Sequence, residues 1–232
     1  QLIMNSRKNC WAPILVSLLF FFVFSSNVLS QVSRMPIGNV SIKPEVVETA
    51  DIKTVNVQTY GNTGKWFQIS VDFTTVLKNT KMGKNYFEYL DNVRVEMEIL
   101  LPTDHPQNQY VLLTGKADYW AFAQDGKEHH IVMFVPPQIL ARWAPGQKFS
   151  TADVKKLEIR VLFKLNDAII GGGYHVPRGK TEADVDRRFQ ATTMLPNLER
   201  VKNGIYSIDK TPWAYLNFDY YELIKSDIRS QD

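Results

Sequence analysis

Cysteine is almost absent from this chain. The one thiol in 232 residues is Cys10, so no internal disulfide can form, and a Cys-based metal site or thiolate nucleophile would have to come from that position alone. Charge of one sign is lacking as well. There are 27 basic and 24 acidic residues, and such a near-neutral balance argues against an electrostatic nucleic-acid binder, which carries a basic patch. It also gives a membrane surface little to attract. No apolar run reaches the roughly 20 residues needed to cross a bilayer. Internal repeats and low-complexity blocks are missing too.

What is present begins with an export pattern. Met4 reads as the initiator, with Gln1, Leu2 and Ile3 upstream of it. Arg7 and Lys8 form a short basic region, and an apolar run from Ile14 to Phe24 follows, broken only by Ser17. Small and polar residues come next, with Val28 and Ser30 at the −3 and −1 positions of a cut before Gln31. Positive, greasy, then small is the order read by export machinery and signal peptidase. Residues 1–30 are therefore expected to be a cleaved signal peptide. Cys10 lies ahead of the apolar run, which excludes lipoprotein processing. Nothing acidic occurs before Glu45, which argues against a pilin that keeps its hydrophobic helix. With Arg7 and Lys8 removed, the processed chain carries one net positive charge and no cysteine. It is expected to lie outside the cytoplasm, in the periplasm, at the outer membrane or beyond. An exported domain without disulfides must be held by its core, and an aromatic content of 12% can supply one.

Hydrophobic spacing predicts the architecture. Val93, Val95, Met97, Ile99 and Leu101 alternate with Arg94, Glu96 and Glu98 before Pro102, which reads as the end of the run. Leu157, Ile159, Val161, Phe163 and Leu165 alternate with Lys156, Glu158, Arg160 and Lys164. Phe67, Ile69, Val71 and Phe73 alternate with Gln68, Ser70 and Asp72. Period two places successive side chains on opposite faces of a strand, and one greasy face per strand suits antiparallel sheets around one core. Val40–Ile42 and Val55–Thr59 read as further strands, and Tyr110–Leu113 and Ala117–Phe122 as two strands flanking a bend at Gly115. Ile131–Val135 and Trp213–Tyr221 are apolar on both faces and read as central or doubly covered strands. Turn chemistry at Gly61–Gly64, Pro102–Asp104, Asp125-Gly126 and Asn203-Gly204 separates them, with Asp125-Gly126 a hairpin candidate. Pro136 to Trp143 reads as a short helix with proline in its first turn, and Thr181 to Phe189 as a helix capped by Thr181. Ile170 to Gly173 reads as a glycine-rich connection or bulged strand. The sum is an all-β, mainly antiparallel, immunoglobulin-like β-sandwich over 31–225, with one or two short helices and a flexible tail at 226–232. A jelly roll or barrel remains open.

Chemistry is sparse. His129 and His130 are adjacent, so on a strand they face opposite ways and cannot chelate one ion together. His105 and His175 are distant, and no ligand-spacing motif joins them. Gly171-Gly172-Gly173 lacks the Gly-Lys-Ser/Thr ending of a phosphate loop. Gly-x-Ser-x-Gly does not occur, and Ser207 has no base close in sequence. Glu96 and Glu98 share a strand face at a separation of roughly 7 Å, a spacing glycosidases use, but they share that face with Arg94 as solvated charges would. No catalytic residue, metal or cofactor is expected. The aromatic residues Trp213, Tyr215, Tyr221 and Trp120 are the candidates for a binding surface, for sugars or a partner protein.

The layout of the chain resembles the small exported proteins encoded beside type IV pilus-like genes in Akkermansia-type Verrucomicrobia. A leader, no cysteine after it, and the segments Ala117-Asp118-Tyr119-Trp120-Ala121-Phe122 and His129-His130-Ile131-Val132-Met133-Phe134-Val135-Pro136-Pro137 carry the likeness. The resemblance implies an immunoglobulin-like fold and an envelope or pilus-associated role, with no catalytic residues. The expected function is a non-enzymatic structural or interaction module of the cell envelope, partnered by envelope or pilus-like proteins. A carbohydrate-binding module is the alternative, and an exported hydrolase a further one.

Overall fold

A computed structural model describes residues 35–48, 65–83, 86–105, 108–143, 149–214 and 220–225, without the side chains of 104, 105 and 108. The expected signal peptide, the strand at Val55–Thr59 and the tail at 226–232 lie outside these residues. In chain order the elements are β1 (Ile37–Glu48), β2 (Lys65–Thr75), β3 (Tyr89–His105), β4 (Asn108–Ala123), β5 (Glu128–Val135), α1 (Pro137–Trp143), α2 (Thr151–Val154), β6 (Glu158–Leu165), β7 (Ala168–His175), α3 (Glu182–Thr193), β8 (Glu199–Val201) and β9 (Tyr206–Ser207).

The alternating strands do what their period requires. They form two sheets, one of four strands in the order β1-β2-β5-β9 and one of five in the order β7-β6-β3-β4-β8. All pairings are antiparallel except β4 with β8. The greasy faces meet in one interior. Phe67, Ile69, Val71 and Phe73 from β2 and Ile131, Met133 and Val135 from β5 join Val93, Val95, Met97 and Ile99 from β3 and Ile159, Val161 and Phe163 from β6 in the same cluster. At its centre, Phe73 lies 4.7 Å from Phe163 and 5.0 Å from Phe122 between ring centroids. This is a mostly β, two-sheet sandwich, as the spacing predicts.

Each sheet also has a covered outer patch. On the five-stranded sheet, Leu100 and Leu112 are roofed by Val185 and Phe189 of α3. Thr181 caps that helix as expected, its hydroxyl accepting from the Asp184 N–H while the Asp184 carboxylate accepts from the Thr181 N–H. Glu158, whose side chain is buried, holds Arg188 of the same helix at 3.2 Å and Lys180 just ahead of its cap. On the four-stranded sheet, Trp66, Val132 and Phe134 are covered by Trp213, Tyr206, Ile208 and Tyr221.

Four local expectations need correction. Pro102 does not end its strand, because β3 continues to His105 through an irregular register. Gly115 does not bend the chain, and β4 runs unbroken from Asn108 to Ala123. The glycine is there because the backbone of Ile205 passes so close that a Cβ would overlap it. Asp125-Gly126 makes a turn, with the Lys127 N–H donating to the Asp125 carboxylate at 2.9 Å, but not a hairpin. β4 is already paired along β3 and β5 along β2, so the turn carries the chain from one sheet to the other. Trp213 does not begin a strand. The Thr211 hydroxyl and carbonyl accept from the N–H groups of Trp213 and Ala214, which closes a turn instead. Residues 215–219 lie outside the described residues. A short helix, α2, was not expected.

The glycine-rich segment is a bulged strand, β7, with its register shift opposite Phe163 and Lys164. A Cβ on Gly171 would sit 2.7 Å from Ile37. The glycines let β1, the edge of one sheet, pass directly over β7, the edge of the other.

Candidate functional site

The outer face of the four-stranded sheet carries the richest group of polar and aromatic side chains. β1 contributes Lys43 and Glu45, β2 contributes Gln68, Ser70 and Asp72, and β5 contributes His130, because period two turns these residues outward while their neighbours fill the core. Asp72 Oδ2 accepts from Lys43 Nζ at 2.6 Å, and Asp72 Oδ1 lies 2.7 Å from His130 Nδ1. Burial alone would push the Asp72 carboxyl up, but these two partners outweigh it and hold it below the ordinary aspartate value. Gln68 donates to Glu45 at 2.6 Å and to Ser70 at 3.3 Å.

His130 is in turn covered by Tyr220, whose ring lies parallel to the imidazole at 4.2 Å. Tyr220 is 55% exposed, and Tyr221 stands edge-on to it at 5.0 Å. These residues form one side of a groove of about 780 Å³. The other side comes from α2 with the residue that follows it and from the end of β7 with the chain beyond, through Thr151, Lys155, His175, Val176 and Arg178. His175 fastens that wall to β1, its ring nitrogens lying 3.2 Å from the Ile42 carbonyl and 3.0 Å from the Lys155 carbonyl.

The aromatic residues singled out by sequence do not share one surface. Trp213 stacks on Phe134 at 4.9 Å and meets Trp66 edge-on at 5.3 Å. It is a half-buried roof over the sheet, and Tyr221 packs on the same cluster. Burial pushes the Tyr221 phenol up. Trp120 lies on the opposite sheet, 56% exposed, with Lys225 Nζ 4.8 Å from its ring. Tyr215 is outside the described residues.

The groups that invite a catalytic reading are engaged elsewhere. Glu96 and Glu98 do share a face, and each is held in an ion pair, with Lys164 at 2.6 Å and Arg160 at 2.5 Å. Ser207 is buried and donates to Asp209. His129 faces inward and His130 outward, as adjacency on a strand dictates. Nδ1 of His129 is 2.6 Å from Glu222 and Nε2 is 3.1 Å from Asp125. Among the described residues, no group of three or more His, Cys, Asp or Glu is placed to hold a metal. None of their helices is long and apolar enough to cross a membrane.

The groove itself was missed by sequence reasoning. Its residues come from β1, β2, α2, the end of β7 with the chain beyond it, and the Tyr220-Tyr221 pair, with no fixed spacing among them. The one signal was Asp72, a carboxylate on a strand whose other outward residues are neutral.

A protein-family model matches residues 30–227, most of the chain. The chain belongs to this family. No curated protein matches the sequence. Among solved structures, a crystal structure from Akkermansia muciniphila is similar, with a TM-score of 0.53 and 15% identity over 81% of this chain and 95% of that one. At that identity the likeness is one of fold. It reaches across nearly the whole neighbour, and together with the family match it bears out the Akkermansia-type resemblance read from the sequence.

Proposed function

We propose that the protein is a non-enzymatic structural and interaction module of the cell envelope, associated with pilus-like machinery. The family match and the fold of the Akkermansia neighbour support this reading. So does the strand order. β1-β2-β5 facing β7-β6-β3-β4 parallels the A-B-E and G-F-C-C′ order of immunoglobulin-like sandwiches, a fold much used for docking.

One observation carries the interaction role. The connection between β2 and β3 folds back on itself through a bridge between Asn79 and Phe87, with Lys78 and Glu88 paired at 2.5 Å. It presents Leu77, Met82 and Tyr86 to solvent, with Tyr89 at its base, each more than half exposed. Large apolar side chains held outward on the two bridged arms of this connection suit burial against another protein. Strand addition is less favoured, because β1 is an edge carrying Pro44, which has no N–H to offer.

The test is a paired Leu77→Glu and Tyr86→Glu variant, expressed with its own leader. It is expected to melt within a few degrees of the parent, since both side chains are exposed. It should lose the cross-link to a pilus-like envelope protein that the parent forms. Normal pilus assembly in a deletion strain, together with no cross-linked partner for the parent, overturns the reading.

A further inference from the structure

We infer that the groove between the outer face of the four-stranded sheet and the α2/β7 wall is a binding site for an anionic glycan. This assigns a ligand to a surface separate from the proposed docking projection, so either reading can fail without the other.

Lys43, Lys155 and Arg178 face the groove against Glu45 and Asp72. Lys43 is neutralised by Asp72, which also holds His130; Glu45 keeps its charge, since its partner Gln68 is neutral, so the three cations and two carboxylates leave the lining one net positive charge. Lys155 and Arg178, both exposed, have no ion-pair partner among the described residues, and they stand on the same wall. Two unpaired cations on one side of a groove attract an anion, at the modest strength of solvent-exposed charge pairs.

Shape and donor chemistry select a sugar over an acidic peptide. One face of the Tyr220 ring is fixed by its stack on His130, and His130 is held in turn by Asp72. The ring is thereby pre-set before a ligand arrives, which spares the entropy of ordering it. Half-exposed at the groove, it offers the flat apolar surface on which a pyranose ring stacks. Along the floor, Lys43, Glu45, Gln68 and Ser70 alternate donors and acceptors, which suits a row of hydroxyl groups. A peptide in extended form would look instead for a free strand edge and for pockets to receive alternate side chains. Here β1 carries Pro44, and the Ile42 carbonyl is taken by His175.

The probes are a hyaluronan hexasaccharide, which carries uronate groups, and a fully N-acetylated chito-oligosaccharide of equal length, which is neutral. Calorimetric titration is expected to show binding of the first and at least ten-fold weaker binding of the second. Lys155→Ala and Arg178→Ala should each weaken binding about five-fold, the scale of one exposed charge contact. Tyr220→Ala should weaken it further, and raising the salt should weaken the parent. Lys116→Ala, exposed on the other sheet, should leave binding unchanged. Equal affinity for the neutral sugar, no binding of hyaluronan at millimolar concentration, or no effect of the Lys155 and Arg178 changes would each overturn the inference. Equal competition by a poly-glutamate peptide would overturn it in favour of an acidic-peptide site.

Discussion

His129 shows how one side chain can tie together parts of the chain remote in sequence. It stacks on Phe73 at 5.4 Å, with Glu222 on one ring nitrogen and Asp125 and Thr75 on the other. Burial lowers the affinity of the ring for its proton, but the two carboxylates outweigh burial and raise the pKa above the ordinary histidine value. A raised folded-state pKa means that protonation favours the fold. The contribution is fully present below the ordinary value near 6.5 and is lost as pH rises through the higher folded value. Thermal melting between pH 6 and 9 should therefore fall with increasing pH, and Glu222→Gln should flatten that slope. An unchanged slope in the variant would show that the pair does not couple to stability. Only adjacency and opposite facing were legible here. The carboxylate partners of His129 lie 4 and 93 residues away, and no local pattern announces the second.

At the scale of elements, the seam between β1 and β7 decides whether the sandwich closes. The glycines in Ile170–Gly173 read from sequence as a bulge or a connection, and they are a bulged strand. Their purpose was not legible, because it lies in Ile37, more than 130 residues earlier. Gly171→Ala places a methyl 2.7 Å from Ile37, nearer than real side chains approach, and it must shift β1 or strain β7. Such overpacking costs about 1–3 kcal/mol. The substitution should lower the denaturation midpoint in urea with little change in the slope of the transition. A neutral result would mean that β1 moves freely. The start of α3 was far more legible. Thr181, Glu182 and Asp184 placed a helix start correctly because the cap is made by residues within one turn of each other.

For the whole molecule, the segment 220–225 acts as a strap between the sheets. The Glu222 N–H donates to the His130 carbonyl on β5. On β4, the Trp120 N–H donates to the Leu223 carbonyl, and the Lys225 N–H to the Asp118 carbonyl. The strap also carries Tyr220 and Tyr221 to the groove. A chain ending at residue 219 should unfold at lower temperature and bind a hydrophobic dye more strongly, since Tyr221 no longer covers the Trp66 cluster. It should also lose the hyaluronan response. A truncated chain with parental stability and no dye binding would show that the strap only lies on the surface.

The sequence by itself determined the class of fold, because a strand's two faces follow from its own alternation and need no partner to be read. Phe67 to Phe73, Val93 to Leu101 and Leu157 to Leu165 announced which side of each strand would be buried. Tertiary structure alone decided which sheet each strand joins, as Asp125-Gly126 shows by crossing between sheets instead of closing a hairpin. It also decided that Trp213 roofs its own chain while Tyr220 faces the groove. Both are aromatic residues near the same end of the sequence, and what separates them is whether Trp66 and Phe134 or His130 lies beneath. That is set by long-range pairing between β2, β5 and the end of the chain, which no local spacing encodes.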